Sequence, residues 1–123
     1  MEGHMAFVKF ETPKMGQEMP KIEILKRGEI NINREASVLY KLYKFEYAIL
    51  YYDPDKKKVG VQLTNDELDP ACIKIVKKKD GSCIMSAVSF LKYYNINYDK
   101  TINFNPEFDE DNDMIIFDLS KGL

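Results

Sequence analysis

Apolar and polar residues alternate along this chain in short bursts. Ile22 and Ile24 alternate with Lys21 and Glu23, and Ile30 and Ile32 with Glu29, Asn31 and Asn33. A period of two sends successive side chains to opposite faces, which is the mark of a half-buried strand. Arg27-Gly28 reads as the turn between the two strands. After Asn33 the period lengthens. Ala36, Leu39, Tyr40 and Tyr43 fall on one stripe at helical spacing, with Val38, Leu42 and Phe45 beside it. The pattern predicts a helix over 34–45, capped by the Asn33 side chain. Being apolar over most of its circumference, such a helix is expected to sit between other elements. Tyr47 to Tyr52 and Val59 to Leu63 then read as strands around the hairpin loop Asp53–Lys57.

The same order recurs. Ile73-Lys74-Ile75-Val76-Lys77 repeats the opening strand, Gly81 repeats Gly28, and Ser86 stands where Asn33 stood as a cap. Val88, Leu91 and Tyr94, with Phe90 and Tyr93, repeat the helix. Ile102-Asn103-Phe104 before Asn105-Pro106 matches Leu50-Tyr51-Tyr52 before Asp53-Pro54. Ile115 to Leu119 closes the second copy as Val59 to Leu63 closes the first. On this alignment the second copy has two extra residues in the loop before Gly81 and about four in the acidic loop 106–113. The expected fold is α+β and mostly β: two ββαββ repeats forming one pseudo-twofold, barrel-like domain. The expected boundaries are an expression scar at 1–5, an N-terminal strand or arm at 6–20, repeat 1 at 21–64, a linker at 65–71 and repeat 2 at 72–119. Within the arm, Ala6-Phe7-Val8-Lys9-Phe10 alternates like an extra edge strand.

Composition narrows the chemistry. The 123 residues, 45% of them apolar, suffice for one domain with a real core. The one histidine is His4, inside the scar, so a native chain beginning at Met5 has no imidazole for catalysis or for zinc. The formal net charge is −2, unevenly spread. Residues 5–80 carry 15 Lys/Arg against 12 Asp/Glu, and residues 81–123 carry 3 against 7. A bulk-basic nucleic-acid binder is excluded, whereas a local basic surface is not. Cys72 and Cys83 form no CxxC pair and read as free thiols in a cytoplasmic protein. No apolar run approaches the ~20 residues that cross a bilayer.

Strand, Gly-turn, strand, short helix, strand, hairpin and strand in this order resembles the AbrB-type swapped-hairpin transcription factors and antitoxins. Gly28-Glu29-Ile30-Asn31-Ile32, Leu42-Tyr43-Lys44-Phe45 and the strand into Tyr52-Asp53 carry the resemblance. Gly81-Ser82-Cys83-Ile84-Met85 and Tyr94-Asn95-Ile96 repeat it. In that family two chains exchange hairpins to build one barrel, so the analogue here is an intramolecular pseudo-dimer. The resemblance implies major-groove DNA binding by basic residues on the loop after the first strand and at the helix start. Those residues are Lys26, Arg27 and Arg34 in the first copy and Lys77, Lys78 and Lys79 in the second. The copies differ at the helix start, where Ala87 and Val88 stand in place of Arg34 and Glu35.

Each cluster also has a plainer reading. The basic turns suit phosphate contacts, or are solvated turns whose lysines keep strand edges apart. Lys56-Lys57-Lys58 reads as a charged hairpin tip. Tyrosines and phenylalanines interleaved with lysine suit base stacking, or core and rim packing. Asp109, Asp111 and Asp113 have the spacing that opens a calcium loop. Met114 and Ser120 then replace the glycine and glutamate such a loop needs, leaving a solvated acidic loop. No phosphate-cradling glycine run or activated nucleophile is present, so no enzyme, catalytic residue, metal site or cofactor is expected. The expected function is a small DNA-binding protein, a transcriptional regulator working through paired basic loops as a monomeric pseudo-dimer or a homodimer. The alternative is a protein-interaction or structural module acting through its acidic loop and aromatic surface.

Overall fold

The computed structural model describes residues 19–123. The strand expected over 6–10 lies outside them. The described chain is α+β and mostly strand, with ten strands in two five-stranded antiparallel sheets and two short helices. In order these are β1 (Ile22–Ile24), β2 (Glu29–Ile32), α1 (Arg34–Leu39), β3 (Tyr47–Asp53), β4 (Lys58–Thr64) and β5 (Ile73–Lys74). There follow β6 (Val76–Lys77), β7 (Cys83–Ser86), α2 (Val88–Tyr93), β8 (Ile102–Phe104), β9 (Glu107–Asp109) and β10 (Met114–Asp118). One sheet runs β6-β7-β2-β1-β8 and the other β5-β3-β4-β10-β9.

Alternation in the sequence becomes inside and outside. Ile22, Ile24, Ile30, Ile32, Cys83 and Met85 point inward from the first sheet, and Ala48, Val59, Val61, Leu63, Ile115 and Phe117 from the second. Phe104 and Phe117 meet across the core with ring centroids 5.0 Å apart, joining the two sheets. On the outer side of the first sheet Glu23 faces Asn31, whose amide donates to the carboxylate at 3.0 Å. Each fully buried aliphatic side chain stabilises the fold by roughly 1.5–3 kcal/mol relative to exposure. The central inward rows therefore dominate the energetics.

Strand pairing crosses between the halves. β1 pairs with β8 from the later half, and β5 from the later half pairs with β3. β2 pairs with β7, and β4 with β10. Buried Ile75 separates β5 from β6, so one short stretch belongs to both sheets. Asn105-Pro106 separates β8 from β9 in the same way.

Several local expectations are corrected. The helix over 34–45 ends at Leu39. Lys41 takes a left-handed φ of 58°, and a 3-10 turn follows at Leu42–Lys44. This reversal turns Leu42 fully inward while Val38 (62%), Leu39 (58%) and Tyr43 (67%) stay exposed. The first helix therefore lies on the surface rather than between layers. Asn33 does cap it, accepting from Ala36 N at 3.0 Å. Ser86 does not cap α2. It is the last residue of β7 and pairs with Glu29, and Ala87 stands at the cap position with no side-chain bond.

The loop-length differences also move. Leu25 N donates to Glu29 O and Gly28 N to Leu25 O, both at 2.8 Å. Lys78 N donates to Ser82 O at 2.9 Å and Gly81 N to Lys78 O at 3.0 Å, which is the same turn. The additional residues lengthen the strand before the second turn, not the turn itself. Likewise most of the acidic loop's extra length is β9, which pairs with β10. The remaining hairpin turn matches Pro54–Lys57, with Asp113 (φ 50°) where Lys57 (φ 55°) stands. Asn95 (φ 56°) repeats Lys41 in the same fashion.

Candidate nucleic-acid interface

The two basic turns belong to one sheet. Antiparallel pairing of β2 with β7 sets Glu29 opposite Ser86 and Ile32 opposite Cys83, so the turns stand at opposite ends of the pair. Ala87 N bonds Gly28 O, and six residues of extended chain lead from Ala87 back to Gly81. At ~3.3 Å per residue the turns are roughly 20 Å apart.

Both turns need glycine. Gly28 has φ 88° and Gly81 φ 91°, a region L side chains rarely enter. The space beside each is also occupied. A Cβ on Gly28 would fall 2.5 Å from Val88 Cγ2, and one on Gly81 would fall 2.9 Å from Arg34 Cγ. Arg34, on the first helix of the first half, thus lies across the turn of the second half. Val88 holds the mirrored place over the first turn. Arg34 therefore meets the turn that carries Lys78, Lys79 and Asp80, and Lys26 and Arg27 stand at the far end with an aliphatic neighbour.

The six expected residues differ in their surroundings. Lys26, Arg27, Arg34, Lys77, Lys78 and Lys79 are all exposed. Arg27 Nη2 lies 2.9 Å from Glu29 Oε1, a buried atom that receives no well-aligned hydrogen bond and has the guanidinium to balance its charge. Lys77 belongs to β6, not to the turn, and its Nζ donates to Glu46 Oε2 at 3.0 Å, with Lys74 at 3.6 Å from the same carboxylate. The Lys77 hydrogen bond and charge, aided by Lys74, hold the Glu46 carboxyl below its ordinary range. The matching turns set Asp80 in the place of Arg27. Its Oδ1 accepts from Ser82 N at 2.9 Å and Ser82 Oγ at 2.6 Å, bonds that depress its pKa. Glu46 and Asp80 are the two residues here that sequence reasoning missed. Asp80 was legible from its place beside Gly81, whereas Glu46 meets Lys77 only through the fold.

The acidic hairpin 107–113 belongs to the other sheet. Phe108 stacks on Tyr40 with centroids 4.7 Å apart and planes 8° from parallel. Asp109 is held within the hairpin by Asp111 N at 3.1 Å and the Asn112 amide at 2.8 Å. Among the described residues no group of three or more acidic, cysteine or histidine side chains is arranged to hold a metal ion. No helix of the described residues is long and apolar enough to cross a membrane. Many of the interleaved aromatics pack on one another: Tyr52 meets Phe90 and Tyr94, at 6.4 and 4.9 Å. Tyr43 and Tyr93 remain largely exposed.

The chain matches no protein-family model, no curated protein and no solved structure.

Proposed function

We propose that this chain is a small, non-enzymatic DNA-binding protein and a regulator of transcription. In this reading its two halves close about a pseudo-twofold axis into one barrel-like domain, as two separate chains do in the AbrB-type family. Support comes from the exchanged strands, β1 on β8 and β5 on β3, and from the pairing of β2 with β7, which brings both basic turns to one sheet. The observation that carries the functional reading is Arg34 lying across Gly81, beside Lys78 and Lys79. It brings a cation from the first half to the turn of the second half that carries Lys78 and Lys79, where Asp80 offsets one of the three charges. Two cationic points roughly 20 Å apart straddle a major groove about 12 Å wide, and so suit the phosphates on its two rims. Phosphate contacts fix orientation without reading bases. Because Asp80 replaces Arg27 in the second turn, the two ends are unequal and the bound DNA is engaged asymmetrically.

The test is fluorescence anisotropy with a labelled mixed-sequence duplex across a salt series. Neutralising three to four phosphates predicts a slope of log K on log salt of about −3. Lys78→Glu with Lys79→Glu should weaken binding uniformly over sequences and flatten the slope by about two. Lys56→Glu with Lys57→Glu, in the opposite class of loop, should change it far less. No binding at micromolar protein and low salt, or binding indifferent to Lys78 and Lys79, rules the reading out.

A further inference from the structure

One end of the second sheet carries a groove, and the other carries a turn that matches it. The groove, of about 590 Å³, lies between the 3-10 turn after α1 and the acidic hairpin, with Tyr40, Phe45 and Phe108 as its apolar floor. The 3-10 turn supplies Lys41 and Lys44 to its border, and the hairpin supplies Glu110 and Asp113. The turn Pro54–Lys57 stands at the opposite end, because antiparallel pairing of β4 with β10 sets Lys58 beside Asp118 and Gln62 beside Met114. Pro54, Asp55, Lys56 and Lys57 are all exposed. Asp53 is turned in, accepting from Asp55 N at 3.0 Å and Lys56 N at 3.1 Å. The turn therefore presents an apolar ring, a carboxylate and two ammonium groups, and the groove has a complement for each.

We infer that the Pro54–Lys57 turn of a second copy of this chain docks in the groove. Pro54 covers the aromatic floor, Asp55 meets Lys41 and Lys44, and Lys56 and Lys57 meet Glu110 and Asp113. Because both surfaces carry both signs of charge, one orientation is favoured and its reverse sets like charges together. Turn and groove stand at opposite ends of one sheet, so the contact forms only between molecules. The matching place in the other half has Asn95 for Lys41 and Lys57 for Asp113, and so lacks the paired charges. The contact is therefore head to tail, and repeats into a ring or an open chain rather than closing as a twofold pair. A turn seated in a groove buries less surface than a standard interface, which makes the association weak and reversible. This inference stands apart from the nucleic-acid reading and needs no DNA.

The test is sedimentation velocity of the full chain from micromolar to millimolar protein, with a charge exchange. In low salt the sedimentation coefficient should rise with concentration, and about 0.3 M salt should weaken the association roughly tenfold. Lys56→Glu with Lys57→Asp makes both hairpin tips acidic, and Glu110→Lys with Asp113→Lys makes both basic. Lys57 and Asp113 share a positive φ (55° and 50°), so each backbone already holds the residue exchanged into the other. Either variant alone should associate at least ~5-fold more weakly than the unaltered chain, and an equimolar mixture of the two should recover the association. Amide shifts that grow with concentration should appear at both surfaces, at Lys41, Lys44 and Glu110 and at Asp55–Lys57. A chain that stays monomeric at millimolar concentration in low salt would overturn the inference. So would association that neither variant weakens, a mixture that fails to recover it, or concentration-dependent shifts confined to other faces.

Discussion

Alanine at Gly28 and at Gly81 imposes the same backbone strain in two different surroundings. Both glycines have φ near 90°, so a Cβ costs about 1–3 kcal/mol at either site. The neighbours then separate them. At Gly28 the new methyl falls 2.5 Å from Cγ2 of Val88, and Val88 Cα stands 3.5 Å away on backbone that cannot retreat. A β-branched side chain has one strongly preferred χ1 in a helix, so the overlap adds an overpacking cost of about 1–3 kcal/mol. At Gly81 the nearest atoms are Cγ and Cδ of Arg34, an exposed flexible chain that swings away at little cost. Gly28→Ala should therefore destabilise by about 3–5 kcal/mol and Gly81→Ala by about 1–3 kcal/mol, measured as urea midpoints with unchanged slope. A double-mutant cycle isolates the cause. Val88→Ala removes Cγ2, so in combination with Gly28→Ala it should recover about 1–2 kcal/mol relative to additivity. Coupling within about 0.5 kcal/mol of zero, or equal losses at the two glycines, would refute the reasoning. Gly81→Ala has a second consequence: by displacing Arg34 it should weaken DNA binding more than Gly28→Ala does.

Three further outcomes follow from particular groups. Asn33 accepts from both Ala36 N and Lys21 N at 3.0 Å and donates to Met19 O, so Asn33→Ala should cost about 1–2 kcal/mol in chemical denaturation. Glu46, Asp80 and Asp118 all have folded-state pKa values below their ordinary ones, through hydrogen bonds from Lys77, Ser82 and Ser120 respectively. A depressed carboxyl contributes stability above its unfolded pKa and loses it as the pH falls through the folded value. Stability should therefore hold from neutrality to about pH 5 and decline below about pH 4, with a shallower decline in Ser82→Ala and Ser120→Ala. Burial raises the Cys83 thiol, whereas Cys72 is partly accessible, so a thiol reagent followed by mass spectrometry should modify Cys72 first and Cys83 only as the fold opens.

What the sequence made legible was local. Ile22 with Ile24, and Ile30 with Ile32, announce their strands because one face of each is buried and the other wet. Asn33 announces its helix because its side chain answers the free amides directly. The end of that helix was hidden: Lys41 enters a left-handed conformation that lysine gives no sign of, although Asn95 at the matching place is a residue that favours it. β9 was hidden among carboxylates, where Phe108 is its one apolar residue and earns its place by stacking on Tyr40. The repeat was visible, but its register was not, because Ile22 aligns by eye with Ile73 while the turn hydrogen bonds align Leu25 with Lys78. Arg34 over Gly81 could not be read at all, since it depends on the register of β2 against β7.

The exchange of strands between the halves is the claim on which the functional reading depends, and separating the halves tests it most directly. Residues 19–66 and 67–123, produced as two peptides, should each give the collapsed amide spectrum of an unfolded chain, because β1 lacks β8 and β3 lacks β5. Mixed, they should recover the dispersed spectrum of the intact protein. Either peptide folding cooperatively by itself, or the mixture staying unfolded at concentrations where both remain dispersed, would contradict the account.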